Sequence, residues 1–113
     1  MTPRLASHIE VSGLIRRIEG HGGSGAVLAK GEGESGAILL ALSDRGTHRG
    51  FLERVLDVTG TYRWQRVGPQ DIEDYQSVNA YIERRRRSDA DLWVVELDVA
   101  GVERFAAEMT ATG

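Results

Sequence analysis

Leu92-Trp93-Val94-Val95-Glu96-Leu97-Asp98-Val99 reads as a β-strand, and the rest of the chain arranges itself around it. Trp93, Val95, Leu97 and Val99 fall on one face, and Glu96 and Asp98 on the other. That two-residue alternation is the signature of a strand packed on a core. Just before it, Ile72, Tyr75, Val78 and Ile82 recur at helical spacing. Pro69 and Asp71 suit a helix start, so a helix is predicted over 69–87, ended by the break Ser88-Asp89-Ala90-Asp91. After the strand, Gly101 punctuates, and Val102, Phe105, Ala106 and Met109 predict a short final helix.

Toward the N-terminus, Val11, Leu14, Ile15 and Ile18 form one apolar helix stripe, predicting a helix over 8–20. Ser7 and Glu10 have the spacing of a capping box at its start. Gly20-His21-Gly22-Gly23 ends it. Two short apolar runs, 26–30 and 37–43, predict strands joined as a hairpin by the polar loop 31–36. The second run is apolar on both faces, which predicts a central strand. Asp44-Arg45-Gly46 signals a turn, and 51–58 with 62–67 predict a further hairpin around Thr59-Gly60-Thr61. The predicted order is α-β-β-β-β-α-β-α. It implies a single α+β domain over residues 1–113, with an antiparallel or mixed four- to five-stranded sheet and helices packed on one face.

Composition narrows the chemistry. The 113 residues hold 14 basic and 17 acidic side chains, and Lys30 is the one lysine among the bases. There is no cysteine, which excludes disulfides, thiolate metal sites and cysteine nucleophiles. The longest apolar run is too short to span a bilayer, and the N-terminal residues lack a secretory pattern, so a cytoplasmic protein without membrane contact is expected.

Gly31-Glu32-Gly33-Glu34-Ser35-Gly36 matches G-x-G-x-x-G. A strand is predicted after it where a dinucleotide site needs a helix, and two glutamates would oppose a phosphate, so it reads as a plain loop. His8, His21 and His48 are spaced without a metal or acid–base pattern and read as unrelated surface residues, the last two in loops. Ser24 lacks the nucleophile-elbow context. Asp71, Glu73 and Asp74 read as first-turn helix charges. No catalytic residue, cofactor or metal is expected.

Arg84-Arg85-Arg86-Arg87 is the most prominent run. Four consecutive helical residues turn through about 300° and cannot make one flat basic face. Arg85 and Arg86 stand three and four residues after Ile82, so one or both continue its stripe and must pair internally, with Asp89, Asp91, Glu96 or Asp98 as the expected acceptors. Arg84 and Arg87 point outward. Residues 88–113 carry six acids against one base, which supports internal pairing. Tyr62, Arg63, Trp64 and Arg66 lie on a predicted edge strand where aromatics and arginines could form a contact surface. The leading functional expectation is a non-enzymatic binding or protein-interaction module using Tyr62, Arg63, Trp64, Arg66, Arg84 and Arg87. Its partner would be an unknown protein or a second copy in a homodimer. One alternative is nucleic-acid or phosphate-ligand binding through Arg63, Arg66, Arg84 and Arg87. Another is a small enzyme with histidine and carboxylate chemistry.

Three stretches also resemble a small, mainly proteobacterial family of about this length known only as a domain of unknown function. They are Arg4-Leu5-Ala6-Ser7 leading into Val11-Ser12-Gly13-Leu14-Ile15-Arg16-Arg17, the glycine-broken segment 25–42, and Tyr81-Ile82-Glu83-Arg84-Arg85-Arg86-Arg87 running into Asp89-Ala90-Asp91-Leu92-Trp93-Val94-Val95-Glu96. Proline at the place of Ala90 and an aromatic at that of Glu10 would be the commoner choices. The resemblance implies a whole-chain domain, with no catalytic residue to transfer.

Overall fold

A computed structural model describes residues 5–69, 72 and 74–111. In chain order the elements are α1 (Ser7–Gly20), β1 (Ser24–Ala29), β2 (Ile38–Asp44), β3 (Thr47–Leu56), β4 (Tyr62–Val67), α2 (Tyr75–Ser88), β5 (Trp93–Asp98) and α3 (Val102–Ala111). This is the α+β order expected. The strands form one five-stranded mixed sheet, ordered β1-β5-β2-β3-β4.

β5 takes the interior position beside β2. It runs parallel to β2, from Ile38↔Trp93 to Ser43↔Asp98, and antiparallel to β1. The predicted hairpin between 26–30 and 37–43 is therefore corrected: β5 separates the two strands. The physical reason lies in the start of β5 and the residue before it, which are buried on both sides. Trp93, Val95 and Leu97 are buried on one side, and Leu92 and Val94 on the other. Such a strand is more stable with a neighbour on each edge and a layer on each face.

Those layers are helical on both faces. Val11, Leu14 and Ile18 of α1 and Val102, Phe105, Ala106 and Met109 of α3 pack with Leu40, Leu42, Leu52 and Val95. Val78 and Tyr81 of α2 pack on the opposite face with Leu39, Ala41, Phe51 and Val94. The one-face expectation thus holds for α1 and α3, while α2 covers the second face that β2 and β5 require.

The β2–β3 turn is tighter than the sequence reading placed it, and β3 begins at Thr47 rather than 51. Arg45 and Gly46 both have positive φ, 53° and 85°, as a two-residue hairpin turn demands. The Asp98 carboxylate accepts hydrogen bonds from both turn amides, at 2.8 and 2.9 Å. The predicted β3–β4 hairpin is present. At its tip the Asp57 carboxylate accepts from the Thr59 and Thr61 amides, the Thr59 hydroxyl and Arg63 Nε. Those donors, the Thr59 hydroxyl first, hold its carboxyl far below the usual carboxylate range.

The start of α2 is also corrected, since Pro69 precedes the helix. Asp74 is its N-cap and accepts from the Ser77 amide at 2.9 Å. That bond keeps the Asp74 carboxyl below its ordinary pKa. Asp71 and Glu73, read as first-turn charges, and Arg4 lie outside the described residues.

Candidate functional site

β4 ends the sheet, as the edge-strand reading expects. Its alternation divides the candidate residues between two faces. The register sets Arg66 beside Leu52, Trp64 beside Arg54 and Tyr62 beside Leu56. Leu52 belongs to the α1/α3 core and Trp64 packs against that core, so Tyr62, Trp64 and Arg66 share its side. Gln65 lies beside Glu53 and Val67 beside Phe51, which places Arg63, Gln65 and Val67 on the α2 side.

Most of the cations there already have partners. Arg63 Nε meets Asp57 at 2.7 Å, and Arg66 Nη2 meets Glu103 of α3 at 2.9 Å. Both arginines are substantially exposed, so these pairs orient side chains more than they stabilise the fold. Arg84 stacks over the Tyr81 ring at 5.5 Å, and neither it nor Arg87 has an ion pair among the described residues. Both are exposed, as the helical-wheel argument predicts.

Arg85 and Arg86 turn inward, as expected, but the acceptors differ. Arg85 bonds Glu53 Oε1 at 2.8 Å and the Tyr81 hydroxyl at 3.1 Å. Burial alone would lower the Arg85 pKa; the Tyr81 and Glu53 contacts outweigh it and raise the value. Arg86 Nη1 donates to the carbonyls of Ala90 and Leu92, each at 2.7 Å. The expected acceptors Asp89, Asp91, Glu96 and Asp98 are thus replaced by a carboxylate on β3 and by backbone oxygens. α2 lies across β3, which brings Glu53 beneath Arg85. Asp98 is already committed to the β2–β3 turn, and Asp89 Oδ1 accepts from the Asp91 amide at 3.0 Å.

The glycine-rich loop is an inward-facing cap for α1. The Ser7 and His8 amides donate to the carbonyls of Glu34 and Gly33, at 3.1 and 2.9 Å. The Glu32 carboxylate collects the Glu34 and Ser35 amides. A phosphate cradle needs its amides directed outward; these point to the loop's own carboxylate. A Cβ at Gly31 or Gly36 would lie 2.2 or 2.4 Å from the Asp91 carbonyl, so these two glycines permit close approach to the chain entering β5. Trp93 Nε1 adds a bond to the Glu32 carbonyl at 2.8 Å.

This cap replaces the predicted capping box. Ala6 is the N-cap residue, and Ser7 Oγ donates to the Gly36 carbonyl at 2.6 Å. Glu10 instead pairs with Arg54 Nη1 at 3.0 Å, where the Arg54 and Glu10 side chains are 5% and 20% exposed. Arg54 also lies 5.1 Å over the Tyr62 ring. Sequence reasoning missed Arg54. Its signal was an arginine in the same alternation as Leu52 and Leu56.

The histidines are dispersed. His8 and His21 flank a helix of 14 residues, a separation of about 20 Å at 1.5 Å per residue. His48 corrects the surface-loop reading: it belongs to β3, is 7% exposed, and its ring lies 4.6 Å from that of Phe51. β3 begins four residues earlier than predicted and carries it under the α2 layer. Its Nε2 is buried and has no hydrogen-bond partner among the described residues, and burial lowers its pKa. Among the described residues no group of three or more His, Asp or Glu could hold a metal ion. Ser24 opens β1 at an open cleft of about 360 Å³ whose lining contains no histidine.

A family model described as a protein of unknown function, DUF1491, matches residues 5–107. A protein from A. tumefaciens, with a structure determined in solution, is 31% identical, with a TM-score of 0.72 over 86% of this chain and 87% of that one. A DUF1491 family protein from Caulobacter crescentus is similar in its crystal structure, at 33% identity and a TM-score of 0.73 over 84% and 88%. An NMR structure of a DUF1491 family protein from Caulobacter crescentus gives 32% identity and a TM-score of 0.74 over 88% and 90%. No curated protein matches the chain.

Proposed function

This chain belongs to the DUF1491 family, and we propose that it is a non-enzymatic binding module that receives an extended, acidic segment of a partner protein along β4. The observation carrying this reading is that β4 ends the sheet with Trp64 half-buried at its rim. A terminal strand offers unpaired backbone groups for strand addition, with neighbouring side chains supplying selectivity. The outward Arg84 and Arg87 of α2 add exposed positive charge that favours carboxylates. The dispersal of the histidines supports a binding role over histidine–carboxylate catalysis.

The nucleic-acid alternative draws on the same arginines. Arg63 and Arg66 are held by Asp57 and Glu103, and a polyanion site would have to compete for them.

Fluorescence anisotropy with short labelled peptides, rich in Asp and Glu and alternating with Val, tests the proposal against a labelled single-stranded oligonucleotide. Saturable peptide binding that weakens in the Arg84→Ala/Arg87→Ala double variant is the expected result. Absence of peptide binding overturns the reading. So does tighter oligonucleotide binding with a steep salt dependence, which would assign the surface to polyanions.

A further inference from the structure

We propose that Arg66 is the residue of β4 that selects an acidic segment, and that Glu103 of α3 is an internal carboxylate which such a segment displaces. This inference rests on the β4 reading and assigns its selectivity to the exchange of one ion pair.

The two arginines of β4 are held in different ways. Arg63 Nε is bonded to Asp57 at 2.7 Å. The same carboxylate accepts from the Thr59 and Thr61 amides and the Thr59 hydroxyl, so it is built into the hairpin tip. A carboxylate fixed by these donors stays in place when a segment arrives, and Arg63 stays neutralised. Arg66 has a partner on a separate element. Its Nη2 meets Oε2 of Glu103, in the first turn of α3, at 2.9 Å. The two side chains are 35% and 60% exposed, so Glu103 can turn to water at little cost once it is displaced.

The position of Arg66 suits such an exchange. It shares the α1/α3 face of the sheet with Trp64, two residues away. Its guanidinium folds back over β3, where a Cβ at Gly50 would lie 3.1 Å from Nη1. Glycine at that position leaves the space the folded-back side chain occupies. A strand added along β4 sets one residue directly opposite Arg66, with the two Cβ atoms about 4.5–5.5 Å apart. That separation is within the reach of the arginine side chain. Swinging away from Glu103 therefore brings the guanidinium to an Asp or Glu at the opposite position. A neutral residue there offers no charge to compete with Glu103, and Arg66 stays folded back. Trp64 supplies apolar contact one step along the same face.

A competition of this kind has a bounded size. An exposed pair is worth at most about a five-fold change in an equilibrium. Fluorescence anisotropy on the full chain reads it, with labelled peptides of Asp and Glu alternating with Val and the same peptides carrying Asn and Gln instead. Glu103→Gln removes the competitor and should tighten the acidic peptide about two- to five-fold, with the amide peptide unchanged. In an Arg66→Gln background the same substitution should give no gain, which separates release of Arg66 from the general loss of a negative charge. A gain that persists with Arg66→Gln, a gain shared by the amide peptide, or no gain where the wild type binds the acidic peptide overturns the exchange and leaves the β4 reading standing. Failure of the acidic peptide to bind any of these proteins overturns both.

Discussion

Removing Glu10 should cost more than removing the arginine it serves. The Arg54 side chain, 5% exposed, is fixed in mid-strand on β3 between Ser7, Glu10 and the Tyr62 ring. It cannot reach water if its carboxylate is lost. Glu10 is 20% exposed at the side of α1 and can rehydrate if Arg54 is lost. Breaking a buried pair from one side typically costs 3–5 kcal/mol. The partial exposure of Glu10 sets Glu10→Ala near the lower limit, about 3 kcal/mol. Arg54→Met keeps an apolar stem of similar length and leaves no buried charge, so about 1 kcal/mol is expected. Urea denaturation followed by circular dichroism measures both. With a slope of about 1.5 kcal/mol/M, Glu10→Ala moves the midpoint down by about 2 M. The double variant should match Arg54→Met within about 0.5 kcal/mol, because Glu10 has no further role once Arg54 is gone. Equal single-variant losses, or a larger loss for Arg54→Met, would refute this account of the pair.

His48 predicts a pH dependence of stability. Its folded pKa lies below its ordinary value near 6.5, so the unfolded chain binds the proton more readily. Stability is full above that value and declines as the pH falls from it toward the folded pKa. His48→Phe should lose less stability than wild type between about pH 7 and pH 5, measured by urea midpoints; an unchanged slope would contradict the burial argument. The glycine-rich loop gives a contrast within one motif. Gly31→Ala and Gly36→Ala drive a methyl into the Asp91 carbonyl and should each cost about 1–3 kcal/mol or more. Gly33→Ala, whose nearest atom is His8 Nδ1 at 3.7 Å, should be close to neutral in thermal melts.

Much of this architecture is legible from local pattern. The stripe of Val11, Leu14 and Ile18 is the buried face of α1. The Asp44-Arg45-Gly46 signal is a turn, and the two-sided apolarity of β2 places it centrally in the sheet. The strand order was not legible, because a break of glycines between two strands looks the same whether they pair or another strand enters between them. That β5 enters depends on long-range burial of Leu92 and Val94 under α2. The arginine run shows the same limit. A helical wheel shows that one or both of Arg85 and Arg86 turn inward, but that both do, and which acceptors they meet, depends on where α2 crosses the sheet. Glu53 lies more than thirty positions away from Arg85 along the chain. Ser7 and Glu10 illustrate a local signal overridden: each side chain found a tertiary partner, in Gly36 and Arg54, that the capping box would have excluded. His48 was hidden because its strand starts immediately after a two-residue turn.

The central functional claim is that β4 is the surface that meets a partner. Nitrogen-15 spectra of the chain, recorded while an acidic extended peptide is added, test it most directly. The account predicts shifts concentrated in the amides of 62–67 and the Trp64 indole, with Arg84 and Arg87 next and the Trp93 indole, held by the Glu32 carbonyl, unmoved. Shifts confined to other elements, or no shifts at saturating peptide, would contradict it.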